Sequence, residues 1–174
     1  MIKYKTMVRR IAGACGLVLL CALASQPLAA AQRIAVLAFE LKDLTPMPET
    51  AEELQRTASI QPLLQQELEK SGYEIVEIGQ QAQTAADVGF GYLFEHHDVA
   101  ALLGREHGAD YVVVGRLHKP SFLFAYMMVH LVEVERERLI GDYITETKGS
   151  AAKLTRKGVE SLSVKIDKDL SMAR

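Results

Sequence analysis

The histidines are the most concentrated chemistry in this chain. Glu95-His96-His97-Asp98 sets four potential metal ligands in a row, and His107 follows ten residues after His97. Imidazole is the commonest transition-metal ligand, so two histidines with a carboxylate suit copper or zinc. Adjacent residues at a helix start point in different directions, however, and Asp98 is placed to cap that helix. His96, His97 and His107 are therefore an alternative ligand set, weighed against a solvated polar turn, because ligand types without convergence do not make a site.

Other chemistry finds less support. No Gly-x-Ser-x-Gly elbow is present, and no serine has an evident histidine partner. Gly89-Phe-Gly91 lacks the third glycine and the strand–turn–helix setting of a phosphate loop. Glu133, Glu135 and Glu137 alternate with Val132, Val134 and Arg136, as on a half-exposed strand. No catalytic constellation assembles from spacing, and no cofactor is called for.

A different signal lies in residues 122–131. Phe122, Phe124, Tyr126, Met128 and His130 occupy the even positions, and Leu123, Ala125, Met127, Val129 and Leu131 the odd ones. A strand sends these sets to opposite faces, and both sets are apolar. Either both faces are covered, or the aromatic and methionine face awaits a partner or a second copy in a homo-oligomer. A second candidate edge is the loop from Glu40 to Glu49, with Asp43, Met47 and two prolines, at the carboxyl end of the first strand. Open α/β sheets tend to place ligand crevices there, and the plain alternative is a connecting loop.

The elements that must position these residues begin with a leader. Lys3, Lys5, Arg9 and Arg10 precede an apolar run from Ile11 to Leu23, and Pro27 and Ala29-Ala30-Ala31 follow. This is the layout of a secretory signal peptide over residues 1–31, with Ala29 and Ala31 at the −3 and −1 positions of a cleavage site before Gln32. The run is short for a membrane span, and Pro27 with the alanines favours cleavage over an uncleaved anchor. Leu20 before Cys21 argues against a lipid-modified cysteine. The expected product is an exported chain of 143 residues, 32–174, a size for one domain with its own core.

The leader holds four of the 20 basic residues and none of the 22 acidic ones, which leaves a net charge of about −6. Such a balance gives no footprint for nucleic acid and no basis for a stable membrane anchor after cleavage. Both cysteines, Cys15 and Cys21, fall in the leader. The rest has neither disulfide nor thiolate chemistry, and core packing alone must hold it.

The patterns then predict a strand over 33–39, a loop over 42–50 and a helix over 51–70, with Ile60, Leu64 and Leu68 on one face. Pro62 predicts a kink or a fresh start near Gln61. A strand over 73–78, a loop with a short helix over 79–94, a helix from Asp98 to Gly108 and a strand over 111–114 follow. A hairpin of 122–135 and 139–148, turning at Arg136-Glu137-Arg138, leads to a last helix over 151–170. The order βαβαβββα predicts a mixed α/β fold. Its sheet has a parallel core and an antiparallel hairpin, with helices mainly on one face.

That order resembles the amino-terminal domain of TolB proteins and the periplasmic domains of curli-secretion-type lipoproteins. In detail the chain resembles a family of uncharacterised secreted bacterial proteins within that group. The matching residues are Ala38-Phe39-Glu40-Leu41 with Asp43, Gly108-Ala-Asp-Tyr-Val-Val-Val-Gly115, and Gly149 followed by Arg156-Lys-Gly-Val159. Leu154 stands where an aromatic residue would be expected. The resemblance implies the fold and a periplasmic or envelope location. Together these readings predict an exported, non-catalytic binding or assembly module that docks onto another envelope protein. A soluble periplasmic metal or small-ligand carrier using His96, His97 and His107 is the alternative.

Overall fold

Tyr111-Val-Val-Val114 begins the strand on which the sheet is built, as β-branched residues buried on both faces would have it. The computed structural model describes residues 31–148 and 152–172. In order the elements are β1 (Arg33–Val36), β2 (Glu40–Asp43), α1 (Ala51–Lys70), β3 (Glu74–Val76), α2 (Gln80–Ala86) and α3 (Tyr92–Glu95). There follow α4 (His97–Glu106), β4 (Tyr111–Lys119), β5 (Phe124–Glu133), β6 (Arg138–Lys148) and α5 (Ala152–Met172). The strands lie in the order β3-β1-β4-β5-β6, with β2 also paired to β4. β1 is parallel to β3 and β4, and β2 is parallel to β4. β5 and β6 run antiparallel, so the mixed α/β sheet has the expected parallel core and hairpin. The expected leader lies, but for Ala31, outside the described residues, as does Gly149.

The first expected strand, 33–39, ends early at Val36, and a further strand forms at Glu40–Asp43. Val36 pairs with Val113 and Glu40 with Arg116, so four steps along one chain match three along β4. The extra residue makes a bulge at 37–39. Gln83 holds the bulge, its amide donating to the Ala38 carbonyl at 3.0 Å and accepting from the Ala38 N–H at 2.8 Å. Phe39 lies so close over Gly115 that a Cβ there would sit 2.4 Å from its ring. The chain then re-pairs as β2, and the loop expected from Lys42 begins only at Leu44.

Two more expectations change. α1 runs unbroken through Pro62. Pro62 and Ala58, whose carbonyl loses its helical partner, are both exposed, on the side where water can replace that bond. Asp98 lies in the first turn of α4 instead of capping it, since α4 starts one residue earlier at His97.

The long helices share one face. Ile60, Leu64 and Leu68 of α1 and Val159, Leu162, Ile166 and Leu170 of α5 pack on Ile34, Val36, Val113, Leu117, Met127, Val129 and Leu131. On the other face the short α2, α3 and α4 bring Leu93, Phe94, Ala100 and Leu103 onto Ala35, Leu37, Val112, Val114 and Val134. Gly104 lets α4 approach the sheet, since a Cβ there would meet Val112 at 2.3 Å.

Beneath α1 lies a buried ion network. Lys119 Nζ at the end of β4 is 3.4 Å from Asp43 of β2 and 3.1 Å from Glu53 of α1. Glu53 also meets Arg56 at 3.3 Å, and Arg56 donates to Thr155 of α5 at 3.0 Å and to Thr147 of β6. The Asp43 side chain is excluded from solvent. Burial alone would raise its pKa, but bonds from Thr45 and the charge of Lys119 outweigh burial and hold it below the ordinary carboxylate value. Thr50 caps α1 by accepting from the Glu53 N–H at 3.4 Å, while the Glu53 side chain turns inward to the network.

Glu53→Gln should cost about 3–5 kcal/mol in urea unfolding, because it leaves buried cations short of their counter-charge. Asp43 makes its contribution above its unfolded pKa of about 3.9 and loses it as the pH falls through the depressed native value. Asp43→Asn should therefore flatten the acid limb of a stability–pH curve. An unchanged limb would show that Asp43 carries no such linkage.

Candidate docking face

Period-two alternation divides β5 cleanly. Ala125, Met127, Val129 and Leu131 are buried toward α1 and α5, and Phe124, Tyr126, Met128 and His130 turn to the opposite face. The short helices α2 to α4 cover only part of that face, around Val112, Val114 and His130. Beyond them it is open: Phe124 is 38% exposed and Ile144 of β6 is 54% exposed. Strand register lays two rows across it. One runs Lys42, His118, Tyr126, Glu146, and the other Glu40, Arg116, Met128, Ile144.

A three-layer stack forms the border of the open area. The Arg116 guanidinium lies 3.6 Å over the Phe94 ring, and His130 stacks on Phe94 at 3.7 Å between centroids. Arg116 also donates to Glu95 at 2.9 Å, and Glu40 accepts from the Gly91 N–H at 2.7 Å, pinning α3 to the sheet. Burial raises the Glu40 pKa above the ordinary value. His130 Nδ1 lies 3.0 Å from the Phe94 carbonyl and 3.0 Å from His97 Nε2. A carbonyl only accepts, so Nδ1 carries the proton and His97 Nε2 faces it as a second acceptor. Burial lowers the His130 pKa, and His97 would lower it further whenever it is protonated, against opposing contributions from Phe94, Asp142 and Glu95.

Two more apolar side chains stand exposed in the loops at one end of the sheet. Phe122 is 57% exposed just before β5, with Lys119 Nζ 5.7 Å from its ring, and Met47 is 66% exposed in the loop after β2. Asp43, grouped with Met47 as a loop edge on sequence grounds, instead turns inward to Lys119. A carboxylate at the end of a strand that pairs with a lysine-bearing neighbour is drawn to that charge.

The three histidines considered as alternative metal ligands do not converge. His96 packs on the Tyr92 ring at 4.2 Å, and His107 bonds the Leu103 carbonyl through Nδ1 at 2.9 Å. His97 meets His130, a residue 33 positions away. Among the described residues no three His, Cys, Asp or Glu side chains gather as a metal site. The alternation along the sequence identifies the β5 residues of this face and misses Lys42, Arg116, His118 and Ile144. The alternation of β6 is the available signal for Ile144. Arg116 and His118 take this face from the alternation of β4 carried past Val114, and Lys42 depends on the register of β2, a segment whose residue pattern points to a loop.

Neutral His130 stabilises the fold above its unfolded pKa of about 6.5, and that contribution is lost as the pH falls through the lower native value. His130→Asn should remove this decline from melting curves taken between pH 7.5 and 5. NMR of the native imidazole should show titration below about 6.5, and a midpoint above that would contradict the assigned environment.

In solved structures the same fold recurs. The PelC dodecamer from Paraburkholderia phytofirmans is 16% identical with a TM-score of 0.51, over 83% of this chain and 91% of that one. Lipoprotein GNA1162 from Neisseria meningitidis is 12% identical with a TM-score of 0.51, over 79% and 99%. TolB from Acinetobacter baumannii is 15% identical with a TM-score of 0.50, over 80% of this chain and 28% of that one. At these identities the likeness is one of fold, and it includes the TolB likeness that the element order implied. No curated protein matches the sequence. Residues 32–166 match the family model DUF3280, described as protein of unknown function (DUF2380), and this match covers most of the length. The chain belongs to the DUF3280 family.

Proposed function

We propose that the chain is an exported, non-catalytic module that docks onto another protein of the bacterial envelope through the open part of its second sheet face. The half-covered face carries this reading. The sheet is held from behind by α1 and α5, while Phe124, Tyr126, Met128 and Ile144 present an apolar patch that no element of the described residues fully covers. Exposed apolar surface rimmed by polar groups is what recognition uses. Lipoprotein GNA1162, TolB and PelC share the fold, which raises the prior for an envelope role by analogy alone.

A cleft of about 350 Å³ lies at the other end of the sheet, lined by Arg105, Asp110, Tyr111, Glu133 and Glu135. Arg105 there is already engaged by Glu137 and the Val134 carbonyl, so the cleft offers no free catalytic group of that kind.

The test is to express the chain with its own leader in the native bacterium, crosslink intact cells and identify what co-purifies. One or two specific envelope proteins should be recovered. Tyr126→Asp should reduce that recovery by at least about tenfold, as loss of a central aromatic contact does, with little change in melting temperature. Recovery of the chain alone, or of the same partners with the variant, would sink the reading.

A further inference from the structure

We infer that the Lys42–His118 side of the open face seats a carboxylate, carried by an extended apolar segment of the partner protein. This rests on the docking reading above and adds the partner's chemistry. The parallel register of β2 on β4 puts Lys42 beside His118, and the antiparallel register of β5 puts Tyr126 on the other side of His118. Arg116 stands two residues back on the same face of β4.

Lys42 is the unused cation here, and the acids closest to it are engaged, while Glu146, beyond Tyr126 in the same row, forms no ion pair among the described residues. Among the described residues Lys42 forms no ion pair. His118 Nδ1 and Arg116 Nε are buried without a hydrogen-bond partner. Glu40 is held by the Gly91 N–H, Glu95 by Arg116, and Asp43 and Glu53 by Lys119 on the opposite face. Burial first, then the charges of Lys42 and Arg116, lower the His118 pKa, so the field at that imidazole is positive. An anion placed over His118 would meet Lys42 and Tyr126 as well, giving the unpaired Lys42 a counter-charge.

The surroundings select the kind of anion. Met128, Tyr126, Phe124 and Ile144 continue from this spot across a sheet surface. A flat apolar surface suits an extended polypeptide with one acidic side chain or a terminal carboxylate, where a free inorganic anion would gain nothing from the apolar part. The basic residues set orientation and the apolar ones supply contact area.

The purified full-length secreted chain, immobilised, would be panned with random peptides displayed on phage, alongside the K42Q/H118Q double variant and Tyr126→Asp. Selected clones should be enriched in Asp or Glu flanked by apolar residues, and should bind the double variant at least about tenfold more weakly. Melting curves check each variant, and if the double variant melts early, K42Q alone carries the comparison. Clones without acidic enrichment, or equal binding to the double variant, would overturn the carboxylate seat, as would a failure to select any clone. Clones lost on Tyr126→Asp but kept on the double variant would leave the docking face standing and remove only its acidic partner. Clones indifferent to all variants would remove both. Self-association in sedimentation that the double variant dissolves would put a second copy on this face and overturn the assignment to another protein.

Discussion

Buried charge cannot be left alone, and that constraint organises this fold. Lys119, Asp43, Glu53 and Arg56 are shut away from water, so each must be placed to meet the next. Their meeting determines that β2 ends beside β4, that the first turn of α1 lies above that junction, and that Thr147 of β6 and Thr155 of α5 converge on the Arg56 guanidinium. Five elements share one polar knot in an otherwise apolar layer. Leucine or isoleucine could bury as much surface there, but would tolerate a helix sliding by a turn, whereas directional ion pairs do not.

The same layer supports the other face. With α1 and α5 anchored behind, the sheet needs only short helices in front, and α2 to α4 cover the end near Val112, Val114 and His130. The stack of Arg116, Phe94 and His130 marks the limit of this cover. Past that limit the even residues of β5 and β6 meet solvent, with Lys42 and His118 beside them. Rigidity behind and exposure in front are what a recognition surface requires, since little ordering remains to be done on binding.

Patterns that repeat along the chain are legible in the residues alone. The helical faces of Ile60, Leu64, Leu68 and of Leu162, Ile166, Leu170, the hairpin turn near Glu137, and the alternation through β5 each depend on neighbours within a few residues. Pro62 misleads because a proline on the exposed side of a long amphipathic helix loses little, whereas the residue itself says nothing of which side is wet. Residues 37–43 mislead for a different reason. The bulge is stabilised by Gln83, some 45 positions away, and by Phe39 filling the space over Gly115.

The sequence by itself determined a cysteine-free stretch from residue 22 onward, a mild acidic balance, the kinds and order of most elements, and two apolar faces on β5. Those properties are local or additive, so composition and periodicity suffice to read them. Tertiary structure decided which half of the second face stays bare, that Asp43 turns inward, that His97 meets His130 and not His107, and that Lys42 stands beside His118. These are consequences of register between distant strands. A one-residue slip exchanges the faces of every side chain, and here a single bulge residue decides which face Lys42 and Asp43 each adopt.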